Sequence, residues 1–139
     1  MKSEKASGVW RRDGKDAEVP GAKCEAACEG LDVCSYDGAA YVRAVSFGAW
    51  RVAFLNHDDA FAAPTYLERH FETDESFVLL AGEAMLIVGL ERKKVPLAPF
   101  KIYNVRKGVW HQIVTAPGTR CLVVENENTS LENSERKPL

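Results

Sequence analysis

The chain lacks the features that mark several large classes of protein. Its longest apolar stretch, Ala84 to Leu90, falls far short of the ~20 residues a membrane-crossing helix needs, so no membrane partner is expected. Charge of one sign is missing as well. Eighteen Lys+Arg stand against 20 Asp+Glu, giving a formal net charge of −2. With no basic stripe and no interleaving of aromatic and basic residues, nucleic acid is not an expected partner. The opening MKSEKASGVWRRDGKD has no apolar core of the kind a secretory signal carries, so the expected location is cytoplasmic. Internal repeats, domain linkers and sustained helical periodicity are absent too.

Cysteine is present but not in a metal-binding pattern. Cys24, Cys28 and Cys34 are spaced C-x3-C-x5-C, outside the common zinc spacings, with no histidine among them. Reduced thiols are the expectation in a cytoplasmic chain, and a thiol-based metal or redox role is the weakest functional reading. Cys121 opens an apolar strand and reads as a small buried hydrophobe.

What the chain does have is strand. At 139 residues, 46% hydrophobic and 27% charged, it is long enough for one domain with its own core. Tyr41 to Phe47 and Trp50 to Asn56 are β-rich runs around Gly48-Ala49 and predict a hairpin. His57 to Pro64 reads as a loop or one helical turn. Further strands are predicted at Tyr66–Phe71, Ser76–Leu80, Ala84–Val88, Lys101–Val105, His111–Thr115 and Arg120–Glu125. Glu91-Arg92-Lys93-Lys94 reads as a solvated turn, and Pro117-Gly118 as a strong turn signal. Many short strands with regular turns indicate an antiparallel sandwich or barrel.

The candidate site residues lie on these strands. Side chains two apart on a strand share a face, so Glu68 goes with His70, and Glu75 with Phe77 and Leu79. A bend at Glu72-Thr73-Asp74 is expected to fold the two segments together and bring carboxylate and imidazole onto one wall of a sheet. His111 can supply a second imidazole. Glu75 is hard to explain structurally, because a charge at the head of an apolar strand is costly unless paired or metal-bound. Two histidines with one or two carboxylates suit a divalent zinc, iron, nickel or manganese ion. Arg51, set between Trp50 and Val52, is a candidate for binding a ligand carboxylate or phosphate, or else an outer-face residue with its stem packed on neighbours. His57, beside Asp58 and Asp59, reads as part of a polar loop.

The spacing resembles the cupin family. Its first motif, Gly-x5-His-x-His-x3–4-Glu-x6-Gly, is matched by His70, Glu75 and Gly82, with Glu68 at the first His position and Ala62 at the leading Gly. The second, Gly-x5-Pro-x-Gly-x2-His-x3-Asn, is matched by Gly108 and His111, while Phe100, Arg106 and Thr115 hold the Gly, Pro and Asn positions. The runs WRVAFLN, TDESFVLLAG, KIYNVRKGVWH and LVVENENTS also resemble small bacterial single-domain cupins. The resemblance implies an all-β double-stranded β-helix, or jelly roll, over residues 39–126. An irregular N-terminal arm over 1–38 and a polar tail over 127–139 would flank it. It implies a metal held by His70, Glu75 and His111, with Glu68 as a carboxylate in place of the usual imidazole, and pairing of two copies through sheet edges. Two functional readings follow: a metal-dependent protein acting on or binding a small polar molecule, and a metal-free, non-catalytic binder of such a ligand.

Overall fold

A computed structural model of the protein describes residues 19–139. The charged opening, residues 1–18, lies outside the described residues, and with it that part of the expected irregular N-terminal arm. The described chain is almost entirely antiparallel β. Strands β1 (Ala22–Cys28), β2 (Leu31–Tyr36), β3 (Ala40–Phe47) and β4 (Trp50–Asn56) lead to a single helical turn, α1 (Asp59–Ala62). Then come β5 (Tyr66–His70), β6 (Glu75–Ala81), β7 (Ala84–Val88), β8 (Lys93–Pro96) and β9 (Tyr103–Val105). Strands β10 (His111–Thr115) and β11 (Arg120–Asn126), a 3-10 turn (Leu131–Asn133) and β12 (Ser134–Pro138) complete the order.

Two five-stranded sheets result, ordered β12-β5-β10-β7-β8 and β3-β4-β11-β6-β9, with β1 and β2 as a separate hairpin. From β5 onward the chain passes back and forth between the two sheets, the winding of a jelly roll. This corrects one expectation. The bend after His70 does not fold β5 and β6 into a hairpin. It carries the chain across from the first sheet to the second, so Glu75 faces His70 over the barrel interior and not along one wall.

Alternation explains what lies inside. The inward rows are Arg51, Ala53 and Leu55 on β4, and Glu75, Phe77 and Leu79 on β6, all buried; Asn56 at the end of β4 is buried as well, bonded to the Tyr36 and Gly38 carbonyls. On β10 His111, Ile113 and Thr115 point inward, and on β11 Cys121, Val123 and Glu125. Strand register stacks these rows so that Glu125 opposes Arg51 and Val123 opposes Phe77. One end of the barrel is therefore apolar and the other is charged. Full burial of a Leu or Phe stabilises by about 1.5–3 kcal/mol, so the apolar half supplies the free energy that offsets burying the charged half. Gly82 is required where it stands: its φ is +78°, and a Cβ would lie 2.5 Å from the Thr119 Cα.

Three further expectations are corrected. Residues 22–36, read as irregular, form the β1–β2 hairpin, in which Cys24 and Cys34 are register partners with Cα atoms 4.0 Å apart and form a disulfide. The expectation of reduced thiols there rests on a cytoplasmic location, but a hairpin sets these two residues opposite each other, close enough to pair. The hairpin packs on the second sheet through Cys24, Tyr36 and Val42. Cys28 is exposed, and Cys121 is buried, its thiol pushed up to about 11 by burial. Next, Lys93 and Lys94 belong to strand β8 and not to a turn. Finally, the polar tail closes back as β12, pairing with β5 from Ser134↔His70 to Pro138↔Tyr66. Backbone pairing at a sheet edge needs no apolar alternation, so the tail carries no strand signal.

Phe100 stands at the position of a motif glycine, and its φ is +65°, in the left-handed region that favours glycine. Its side chain is fully exposed and contributes no packing. Phe100→Gly is therefore expected to raise stability by up to about 1 kcal/mol, the relief of left-handed strain less the added chain entropy. Urea denaturation checks this, and a less stable variant would contradict it.

Candidate metal and ligand site

The charged end of the barrel gathers the residues singled out by spacing. Glu68 and His70 point inward from β5, and His111, the register partner of Glu68, does so from the neighbouring β10. Glu75 comes from β6 in the opposite sheet. His111 Nε2 lies 2.7 Å from Glu75 Oε1, His70 Nε2 3.3 Å from the same oxygen, and His70 Nε2 3.7 Å from Glu68 Oε1. His70, Glu75 and His111 are all at least nine-tenths buried. Glu68 is partly exposed at the mouth. His57 bonds Thr115 Oγ1 at 2.7 Å and takes no part in the cluster.

Both imidazoles are oriented from behind. His111 Nδ1 lies 2.9 Å from the Val109 carbonyl oxygen, and His70 Nδ1 lies 2.7 Å from Ser134 Oγ on β12. The Gly108 N–H donates to the His70 carbonyl, which ties the turn before β10 to β5. Each ring thus turns its Nε2 toward the carboxylates.

A second group of buried residues, missed in the sequence, stands behind Glu75. Glu125 on β11 stands beside Glu75 of the neighbouring β6, accepts from the Tyr41 hydroxyl at 2.8 Å, and lies 3.5 Å from Arg51 Nη2. Its inward direction is available from the alternation Cys121, Val123, Glu125. Arg51 does line the cavity, but its donors are already engaged. Nε donates to Tyr41 Oη, Nη1 to the Glu127 carbonyl and Nη2 to the Thr129 carbonyl. Arg43 pairs with the Glu127 carboxylate. Together the two arginines hold residues 127–129 over a cavity of ≈ 760 Å³.

Burial and proximity split the carboxyl groups. For Glu75, burial alone would raise the pKa, but His111 and the nearby His70 outweigh it and hold the group well below the usual carboxylate range. Glu125 is pushed up to about 9, first by burial and then by the adjacent Glu75 charge. For His111, burial acts downward, yet the Glu75 contact prevails and raises it. Without an ion, these directions favour the neutral form of Glu125, the charged form of Glu75 and a proton on His111, whose two ring nitrogens both face oxygen acceptors.

The donor set fits a divalent metal. One ligand atom each from Glu68, His70, Glu75 and His111 lies within 4.8 Å of the others. Among the described residues, His70 Nε2 is buried without a hydrogen-bond partner, an arrangement that costs free energy unless something electrophilic sits beside it. Imidazoles held by their far nitrogen are typical of metal-ligating histidines.

A raised carboxyl pKa makes stability fall with pH. Below its unfolded value near 4.5 Glu125 is neutral in both states; above it, folding must keep a proton that the unfolded chain has released, until pH reaches about 9. In metal-free protein Glu125→Gln should match the parent near pH 4.5. It should then gain on the parent by up to ~1 kcal/mol per pH unit toward pH 8. Denaturation at several pH values reads this difference; a gap that does not grow with pH would contradict it.

Searches for relatives by sequence are silent: no family model and no curated protein matches the chain. Solved structures do match. Pac13 of Streptomyces, described as a nucleoside dehydratase, superposes with a TM-score of 0.60 at 6% identity, over 90% of this chain and 92% of that one. A cupin-2 domain protein from Shewanella frigidimarina gives 0.53 at 14% identity over 66% and 84%. A cupin protein from Bacteroides fragilis gives 0.52 at 20% identity over 70% and 84%. Among the described residues no helix is long and apolar enough to cross a membrane. Identities this low speak to architecture alone, and on architecture the chain is a small cupin-type barrel.

Proposed function

We propose that the protein binds a small polar molecule in its barrel through a divalent metal ion held by His70, Glu75 and His111, with Glu68 as a fourth, more exposed donor. The observation that carries this reading is His70 Nε2, which is buried, makes no hydrogen bond among the described residues and lies 3.3 Å from the Glu75 carboxylate. The donor types suit zinc, iron, nickel or manganese. Such an ion would supply Lewis acidity toward a ligand oxygen.

The surrounding residues have separable parts. Glu125, buried beside Glu75 on the neighbouring strand, backs that carboxylate on the side away from the histidines. Tyr41 and Arg51 hold Glu125 in turn. Ser134 and the Val109 carbonyl fix the ring orientations of the two histidines. Leu55, Phe61 and Phe77 wall the cavity with apolar surface, which limits water around the cluster.

One observation favours the second reading, a metal-free binding site. The His111–Glu75 contact at 2.7 Å is complete without an ion, so the pair can present charge and hydrogen-bonding groups to a ligand directly.

Calorimetry on chelator-treated protein separates the two. Zinc, nickel or manganese is expected to bind with one ion per chain, and His111→Ala to weaken it by at least about 100-fold. His70→Ala serves as a companion that leaves the Glu75 environment less disturbed. Because Glu75 favours a proton on His111 and metal must displace it, affinity should fall as pH is lowered, beginning above the ordinary imidazole value of 6.5. If no divalent ion binds the parent chain, the metal reading fails and the direct binding site remains.

A further inference from the structure

Arginine is the natural partner for an anionic ligand, because its fork of N–H groups meets a carboxylate or phosphate in two places. Among the described residues three arginines line the cavity: Arg43, Arg51 and Arg136. The first two are committed, Arg43 to the Glu127 carboxylate and Arg51 to Tyr41, Glu125 and two backbone carbonyls. Arg136 is not. It lies on β12 as the register partner of Glu68, two residues from Ser134, which is the partner of His70. Parity on that strand puts Ser134 and Arg136 on the same inward face.

The Arg136 guanidinium lies over the Tyr66 ring, 4.3 Å from its centroid, and its Nε lies 3.5 Å from Glu68 Oε2. Glu68 Oε1, the other oxygen of that carboxylate, lies 3.7 Å from His70 Nε2. A single carboxylate therefore separates Arg136 from the cluster. Among the described residues Nη1 and Nη2 have no hydrogen-bond or ion-pair partner, and the side chain is half-exposed toward the cavity mouth. Stacking on Tyr66 fixes the plane of the fork without using those donors.

Charge balance points the same way. A divalent ion neutralises Glu68 and Glu75, Arg43 is balanced by Glu127, and the Arg51 donors are taken up by Tyr41 and two backbone carbonyls. With Glu68 committed to the ion, Arg136 is the cavity arginine whose charge and donors face the opening. Glu132 also reaches the rim, but from an exposed turn where solvent and salt screen it.

We propose that Arg136 is the anion-binding residue of this cavity, placed to hold the carboxylate or phosphate of a small ligand whose other oxygen meets the ion at Glu68, His70, Glu75 and His111. The inference rests on the metal reading above, and it assigns to Arg136 the part that spacing alone suggests for Arg51. It defines the ligand class as a small anion with a second oxygen donor within a few bonds of the first.

The test separates metal from anion. Zinc uptake by chelator-stripped protein is measured first by calorimetry, on the parent and on Arg136→Gln. Malonate, 2-phosphoglycolate and neutral glycerol are then titrated into both zinc-loaded proteins. Zinc affinity should change by less than about threefold, while affinity for the preferred anion falls at least ~10-fold in Arg136→Gln, the loss of a charged, two-point contact. Arg136→Lys should give an intermediate value, since it keeps the charge and loses the fork. The tighter of the two acids identifies carboxylate or phosphate as the group recognised. Equal anion affinity in parent and Gln variant, no binding of either anion by the parent, or no preference for the anions over glycerol would overturn the assignment. A loss of zinc affinity as large as the loss of anion affinity would also overturn it, leaving Arg136 only to orient Glu68. Failure of the parent to take up zinc shows in the first titration, and it removes the metal reading and this inference together.

Discussion

Burying Glu75 is the constraint around which the barrel is organised. An isolated carboxylate inside a protein costs several kcal/mol, and it is tolerated only when cations and donors surround it. Here they come from both sheets. His111 and His70 reach it from the first sheet, and Glu125 stands beside it on the neighbouring strand β11 of the second. The two histidine contacts exist only once the sheets face each other, so the cluster forms only with the whole fold. The jelly-roll crossing between β5 and β6 is what allows His70 and Glu75, near neighbours in sequence, to meet across a cavity.

The same constraint explains how the ends of the barrel divide. Each inward row runs from charged to apolar in the same direction: Arg51 to Leu55, Glu75 to Leu79, Glu125 to Cys121, His111 to Ile113. Packing at the apolar end fixes the register, and the register sets the charged residues opposite one another at the other end. The C-terminal segment then completes the site. Arg43 and Arg51 anchor residues 127–129, Asn126 and Asn128 bond Glu72, and β12 lays Ser134 against His70. A site built on strands of both sheets and a returning tail is held in place by the scaffold and not by loops.

How much of this is legible in the sequence depends on the kind of signal. The spacing of Glu68, His70, Glu75 and Gly82, and of Gly108 and His111, marks the cluster on its own, and the β3–β4 hairpin follows from its turn. Glu125 shares the parity of Cys121 and Val123 and is readable by the same rule that places Glu75. Arg51 is ambiguous for a physical reason. On β4 the outward residues Trp50, Val52 and Phe54 are as apolar as the inward Ala53 and Leu55, since the β1–β2 hairpin packs on part of that outer face. Alternation therefore does not say which side is in. Ser134 and Arg136 give no signal at all, because a polar edge strand is held by backbone hydrogen bonds. The Cys24–Cys34 pairing depends on hairpin register, which spacing rules for metal sites do not consult.

Whether the buried cluster is a metal site decides the rest. Anomalous diffraction from crystals grown with zinc or manganese tests it most directly. One strong peak is expected inside the barrel, bonded at about 2.0–2.2 Å to His70, Glu75 and His111, with the His111–Glu75 contact opened to admit it. A barrel with no peak and that contact intact, or a peak held elsewhere on the chain, would contradict a metal centre at these residues.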